Sequence, residues 1–165
     1  MSTSLHLSEH AQNALLALDL ARKEAVHFQY SHSTLFALSI DLQWVESLAQ
    51  RPELAEKVEA FVSRFGRLQD HLGEKLIPRY AQLVGEQHRT QIDVLNFAER
   101  AGILCSADDF LAARKLRNVL VHEYMQDTQS FLEGLQLAQV ASQMLFDVIK
   151  NTESELQRLG VLPCA

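Results

Sequence analysis

Apolar residues recur at three- and four-residue spacing along nearly the whole chain, the period of an amphipathic helix, and nowhere alternate long enough to suggest a strand. Leu15, Leu18, Arg22 and Val26, with Ala11, Ala14 and Ala21, predict a first helix. Ser31 and Ser33 offer caps for a second, through Leu35, Leu38, Leu42, Val45 and Leu48. Pro52 suits the first turn of a third, where its missing N–H costs nothing. Leu54, Val58, Phe61, Val62, Phe65, Leu68 and Leu72 continue that helix as an unbroken stripe, which Gly73 and Pro78 are expected to bend or end. Residues 85–90 read as a loop, and residues 92–101 as a short helix closed by Gly102. Ser106-Ala107-Asp108-Asp109 is a capping signal that launches a helix from Phe110 to about Tyr124. Asp127 or Thr128 can cap a last helix reaching Leu159. Long amphipathic helices on short connections predict an all-α, antiparallel up-and-down bundle of four principal helices plus short extra ones.

A length of 165 residues supports one cooperative core rather than two, so residues 1–165 are expected to form a single domain. Hydrophobic residues make up 47% and charged residues 22% of the chain, the balance of an ordinary globular protein. The net charge of -6 argues against a protein that coats nucleic acid non-specifically, because that affinity comes from cations releasing counterions. It leaves room for a local basic patch. No basic stretch followed by an apolar run opens the chain, and no apolar run approaches bilayer length. Cys105 and Cys164 lack metal-ligand spacing and read as free thiols of a cytoplasmic protein.

Within the predicted helix from Phe110 to about Tyr124 stands Arg117-Asn118-Val119-Leu120-Val121-His122-Glu123-Tyr124, an Arg-x4-His-x-Tyr pattern. A fixed cation and a titratable imidazole are hard to explain by packing, and they are the groups that metal-free phosphoryl chemistry needs. On an ideal helix Arg117 and Tyr124 fall about 20° apart, whereas Arg117 and His122 point about 140° apart. One straight helix therefore cannot bring the pair together. A second copy related by a twofold axis can, which predicts a homodimer.

This pattern resembles the signature of the HEPN family of small helical proteins, many of them ribonuclease toxins. The likeness extends to Phe65-Gly66-Arg67-Leu68-Gln69-Asp70, followed by Lys75-Leu76-Ile77-Pro78, which is similar to the central helix of the HepT-like branch. Residues 92–96, Ala98-Glu99 and Ser106-Ala107-Asp108 resemble that branch too, so the likeness covers roughly residues 60 to 126. It implies a four- or five-helix bundle, a homodimer with both motifs facing a shared cleft, and metal-independent endoribonuclease activity. It also implies a partner, a minimal nucleotidyltransferase acting as antitoxin, and makes Tyr124 a candidate acceptor of AMP.

RNA transesterification requires a base for the 2′-hydroxyl, an acid for the 5′-oxygen and positive charge on the phosphorane. Histidine suits either proton-transfer role, and arginine presents a permanent planar fork to phosphate. Arg117 and His122 are thus the candidate catalytic residues. Asn118, one turn before His122, can orient the ring or hold a phosphate oxygen. Arg114 and Lys115 join Arg117 in a cluster with no acid between Phe110 and His122, a candidate RNA-binding patch. No metal and no cofactor is expected: His6 and His10 have metal-compatible spacing but lack a third ligand, and read as solvated. His27 and His32 read as interhelix contacts, and His71 as solvated or as support for the cleft. Asp108 and Asp109 read as helix N-terminal charges. Two other functions fit the same residues: a non-catalytic nucleotide- or substrate-binding subunit of a nucleotidyltransferase, and a plain interaction bundle.

Overall fold

The computed structural model describes residues 2–124 and 126–164, with side-chain surroundings from Leu7 onward. All regular structure among these residues is helical. The order is α1 (Ser2–Leu35), α2 (Leu42–Glu46), a 3-10 turn (Ser47–Gln50), α3 (Pro52–His71), a π-type segment (Leu72–Leu76), α4 (Ile77–Leu83), α5 (Gln91–Arg100), α6 (Ala107–His122) and α7 (Thr128–Arg158). Four long rods emerge: α1, the continuous α3–α4 rod, α6 and α7.

Each successive pair of rods runs antiparallel, as the cross-links show. Along α1 and α3–α4, Arg64 donates to Ser31 Oγ and to the His27 carbonyl, His71 Nε2 meets the Ala17 carbonyl at 2.8 Å, and Arg79 donates to the Asn13 carbonyl. As α3–α4 advances, its partners on α1 recede. The same reversal relates α3 to α6, through the pairs Arg117–Asp70 and Arg114–Glu74. Between α1 and α7, Arg22 pairs with Glu153 and Phe28 stacks on Phe146. The bundle is therefore the up-and-down arrangement expected. Its core is one continuous apolar cluster, with Phe28, Phe61, Phe65, Phe110 and Phe131 fully buried.

Local signals explain most boundaries. Thr90 and Asp93 form a reciprocal capping box at the start of α5. Ser106 Oγ accepts from the Asp109 N–H at 3.1 Å, and Asp127 Oδ1 accepts from the Ser130 N–H at 3.1 Å, so both anticipated caps are used. Gly102 takes φ 76°, the left-handed conformation that closes a helix without Cβ strain.

Two boundaries differ from the sequence expectation. Ser31 and Ser33 do not cap a second helix; they lie inside α1. The hydroxyls there turn inward or back along the helix: Ser31 is buried under Arg64, and Thr34 Oγ1 donates to the Tyr30 carbonyl at 3.0 Å. The buried side chains of Phe28 and Leu35 hold this stretch against its neighbours, so the cap falls to Asp41 instead, whose carboxylate accepts from the Trp44 N–H. Nor do Gly73 and Pro78 end the third rod. The helix widens by one residue, so that the Ile77 N–H reaches the Leu72 carbonyl, and the rod then continues into α4. Proline lacks the N–H that Glu74 would otherwise receive, and the wider turn accommodates that loss.

Candidate functional site

Helix α6 carries the motif, and three faces of it do different things. Phe110, Ala113 and Leu120 point into the core. On one flank Gly134 of α7 lets the helices close up: a Cβ there would stand 3.3 Å from Leu120 Cδ2 and 3.4 Å from Val119 Cγ1. On the other flank Arg117 lies against α3, its Nη1 donating to Asp70 Oδ2 at 2.6 Å. The remaining face, with Lys115, Asn118, Val121 and His122, is exposed.

Between α3 and α6 runs a groove of about 500 Å³. Val58, Val62, Leu120 and Val121 form apolar walls, while Glu59, Arg67, Asp70, Arg117 and Tyr124 supply polar groups. Arg117 and Tyr124 line one groove. His122 is not in it. No described residue bonds the His122 ring, Asn118 included, so within one chain the arginine and histidine stay on separate faces.

The expected basic cluster is divided and largely compensated. Arg114 bonds Gln91 and pairs with Glu74 at 3.1 Å, with Asp70 Oδ1 a further 4.0 Å contact. Arg117 pairs with Asp70. Lys115 lies on the opposite flank, beside a second, apolar groove lined by Leu116, Val119, Leu137, Val140 and Met144. The segment 110–122 contains no acid, but the facing helix brings two. Arg67 replaces what is lost: it is exposed, lines the first groove, and makes no ion pair or hydrogen bond among the described residues.

Tyr124 also departs from expectation. The helix ends at His122, so Tyr124 stands in the turn beyond it, its ring packed edge-on against Phe131 at 5.3 Å. Its hydroxyl is buried, close to the Glu59 carboxylate. Burial, and then the nearby Glu59 carboxylate, raise its pKa above the ordinary tyrosine value.

Comparison of the chain with protein-family models, with curated proteins and with solved structures returned no match. The site therefore has to be read from its own geometry.

The remaining candidates resolve as structural contacts. His32 Nε2 lies 3.3 Å from the Gln139 carbonyl, the interhelix contact expected of it; His27 is exposed, and only its backbone carbonyl, which accepts from Arg64, bonds across the helices among the described residues. His71 faces α1, away from the groove, so it is neither solvated nor support for the cleft. Asp108 and Asp109 occupy the first turn of α6 as N-terminal charges. Among the described residues no three His, Cys, Asp or Glu side chains converge as metal ligands; the side chain of His6 lies outside them. Cys105 and Cys164 are exposed free thiols, and no described helix is long and apolar enough to cross a membrane.

Sequence reasoning missed Gly66, Arg67 and Asp70 as site residues, although it quoted the run that contains them. The signal was available. Gly66 interrupts an otherwise strong helix-forming stripe, and Asp70 and Glu74, four apart, form an acidic edge matched to Arg114 and Arg117.

Proposed function

We propose that this chain is a HEPN-type, metal-independent endoribonuclease, the toxin of a toxin–antitoxin pair acting in the cytoplasm as a homodimer. The observation that carries this reading is the disposition of the motif. Arg117 is anchored at a groove with guanidinium N–H groups to spare, and His122 stands exposed and unbonded on the outer face of the same helix. Neither group is consumed by the fold. Apolar side chains flank His122, with Val121 55% exposed, and Leu137 and Val140 on the neighbouring α7 are 60% and 75% exposed. A second copy packed there would cover these residues and bring its own motif to the first.

In such a dimer, the His122 of one chain works with the Arg117 of the other: the histidine takes the 2′-hydroxyl proton, and water protonates the departing 5′-oxygen. Arg117 holds the phosphorane charge. Arg67 and Arg117 supply the local cations that the chain's negative total lacks. The test is cleavage of RNA in EDTA, with a 2′,3′-cyclic phosphate on the upstream product. Wild-type protein that leaves RNA intact under these conditions removes the enzyme reading.

The groove favours one second reading. At about 500 Å³ it is large enough to seat a nucleotide within a single chain, which suits a binding subunit of a minimal nucleotidyltransferase. Saturable nucleotide binding with no RNA cleavage would support that alternative.

Under the toxin reading the partner nucleotidyltransferase transfers AMP to Tyr124, and the added anion blocks the groove and neutralises Arg117. The buried hydroxyl sets a condition: the ring must turn out before transfer. Tyr124→Phe is expected to keep cleavage and to escape neutralisation by the partner with ATP and magnesium. It also removes a buried hydroxyl beside the Glu59 carboxylate, so stability should change by no more than about 1 kcal/mol. Mass spectrometry of the co-expressed pair and urea denaturation of the variant check the two halves. Unmodified Tyr124 in fully neutralised protein would mean inhibition by binding alone.

A further inference from the structure

Arg117 reaches the groove by crossing α3 at the one place where that face of α3 carries no side chain. A Cβ on Gly66 would stand 2.5 Å from Arg117 Nε, 3.0 Å from its Cδ and 3.1 Å from its Cζ. Even alanine at this position would displace the arginine. Glycine is a poor helix former, yet it sits in the interior of a 20-residue helix, where packing against a close neighbour accounts for it.

One turn further along the same face, Asp70 completes the arrangement. Its Oδ2 accepts from Nη1 alone, so the guanidinium is tethered by one prong, and its other N–H groups have no protein partner among the described residues. The carboxylate is steadied in turn. Oδ1 faces Arg114, which Glu74 and Gln91 hold from the far side. The Arg117 side chain is 36% exposed and that of Asp70 31%. A pair this wet adds little to folding stability, so stability alone does not explain it. What it does is order a long side chain before substrate arrives. An arginine left free would lose that rotamer entropy at the moment of reaction.

We infer that Gly66 and Asp70 are positioning residues for Arg117: the glycine clears its path and the carboxylate fixes its fork, with spare donors directed at a phosphodiester in the groove. This rests on the ribonuclease reading of Arg117. It assigns Asp70 a role opposite to its charge. On Coulomb's law alone an acid beside the phosphate site would hinder RNA, and its removal would speed cleavage. A positioning role predicts a slower enzyme.

The experiment compares wild type, Gly66→Ala, Asp70→Ala and Asp70→Asn on a defined RNA oligonucleotide. Gly66→Ala and Asp70→Ala should each lower kcat on the order of 100-fold, with KM unchanged or lower. Asp70→Asn keeps an acceptor oxygen and should recover part of the loss. Gly66→Ala should unfold at the same temperature as wild type or higher, since alanine is the better helix former. Activity and stability then move apart, which a merely structural role would not produce. A second measurement needs no activity: the Nε–H signal of Arg117 in nitrogen-15 spectra should be distinct in wild type and merge with solvent-averaged arginines in Gly66→Ala and Asp70→Ala. Faster cleavage by Asp70→Ala, a raised KM at constant kcat, or a wild-type Nε–H already averaged would each overturn the inference. An inactive wild type that keeps this signal, with loss in both variants, supports the seat and sinks the ribonuclease reading instead.

Discussion

Replacing Arg117 or His122 by alanine is expected to lower RNA cleavage about 10²- to 10⁴-fold while leaving helicity and dimerisation intact. Neither residue supports the fold: His122 is exposed and makes no hydrogen bond among the described residues, and Arg117 makes one half-exposed ion pair there. The cost therefore falls on the transition state. A mixing experiment adds the geometry. Arg117 points into the α3–α6 groove while His122 lies outside it, so the proposed reading expects a working pair to be assembled across two chains. Arg117→Ala subunits mixed with His122→Ala subunits form hybrid dimers in which one composite site is intact and the other doubly impaired. With random pairing about one quarter of all sites recover. No recovery, in a sample shown to contain hybrids, would confine each Arg/His pair to a single chain. Sedimentation as a strict monomer at micromolar concentration would remove the dimer model altogether.

The largest effect on stability is expected at Phe28, where Phe28→Ala should cost about 3–5 kcal/mol in urea denaturation. Its ring is fully buried at the junction of three rods. It meets Phe61 at 5.6 Å and Phe65 at 6.0 Å on α3, and stacks on Phe146 of α7 at 5.3 Å. Truncation would leave a cavity bordered by stiff aromatic rings, which collapse poorly around a gap. Because Phe65 adjoins Gly66, the change should also loosen the seat of Arg117 and reduce cleavage in the protein that remains folded. A loss below about 1 kcal/mol would show that the rings repack and that the cluster is not the keystone of the bundle.

Helical boundaries were legible where a single side chain decides them. Ser106, Asp127, Gly102 and Pro52 act on backbone groups within a few residues, so the chain carries the whole instruction locally. Ser31 and Ser33 misled because a hydroxyl can serve a cap or a side chain elsewhere: Ser31 accepts from Arg64 and Ser33 from Gln29, inside a helix that the packing of Phe28 and Leu35 holds together. Gly73 and Pro78, expected to bend or end the helix, do not end it: a widened turn at Leu72–Leu76 carries it on while the rest of the rod is held in the core.

The site divides along the same line. Helical geometry put Arg117 and His122 on different faces, because angular spacing along a helix is set by the backbone alone; Tyr124 lies past the helix end and lines the Arg117 groove from the following turn. Charge was not so legible. The run from Phe110 to His122 is free of acids, yet Asp70 and Glu74 reach its arginines from 40 or more residues away, and electrostatics follows distance in space rather than along the chain. The sequence by itself determined an all-helical bundle, its principal rods and the facing directions of the motif, since each depends on periodicity and local caps. Only the tertiary structure decided that Arg117 is seated on Gly66 and tied to Asp70, that Arg67 lines the groove with no partner among the described residues, and that the Tyr124 hydroxyl is buried, because each of these depends on which helix packs against which and at what register.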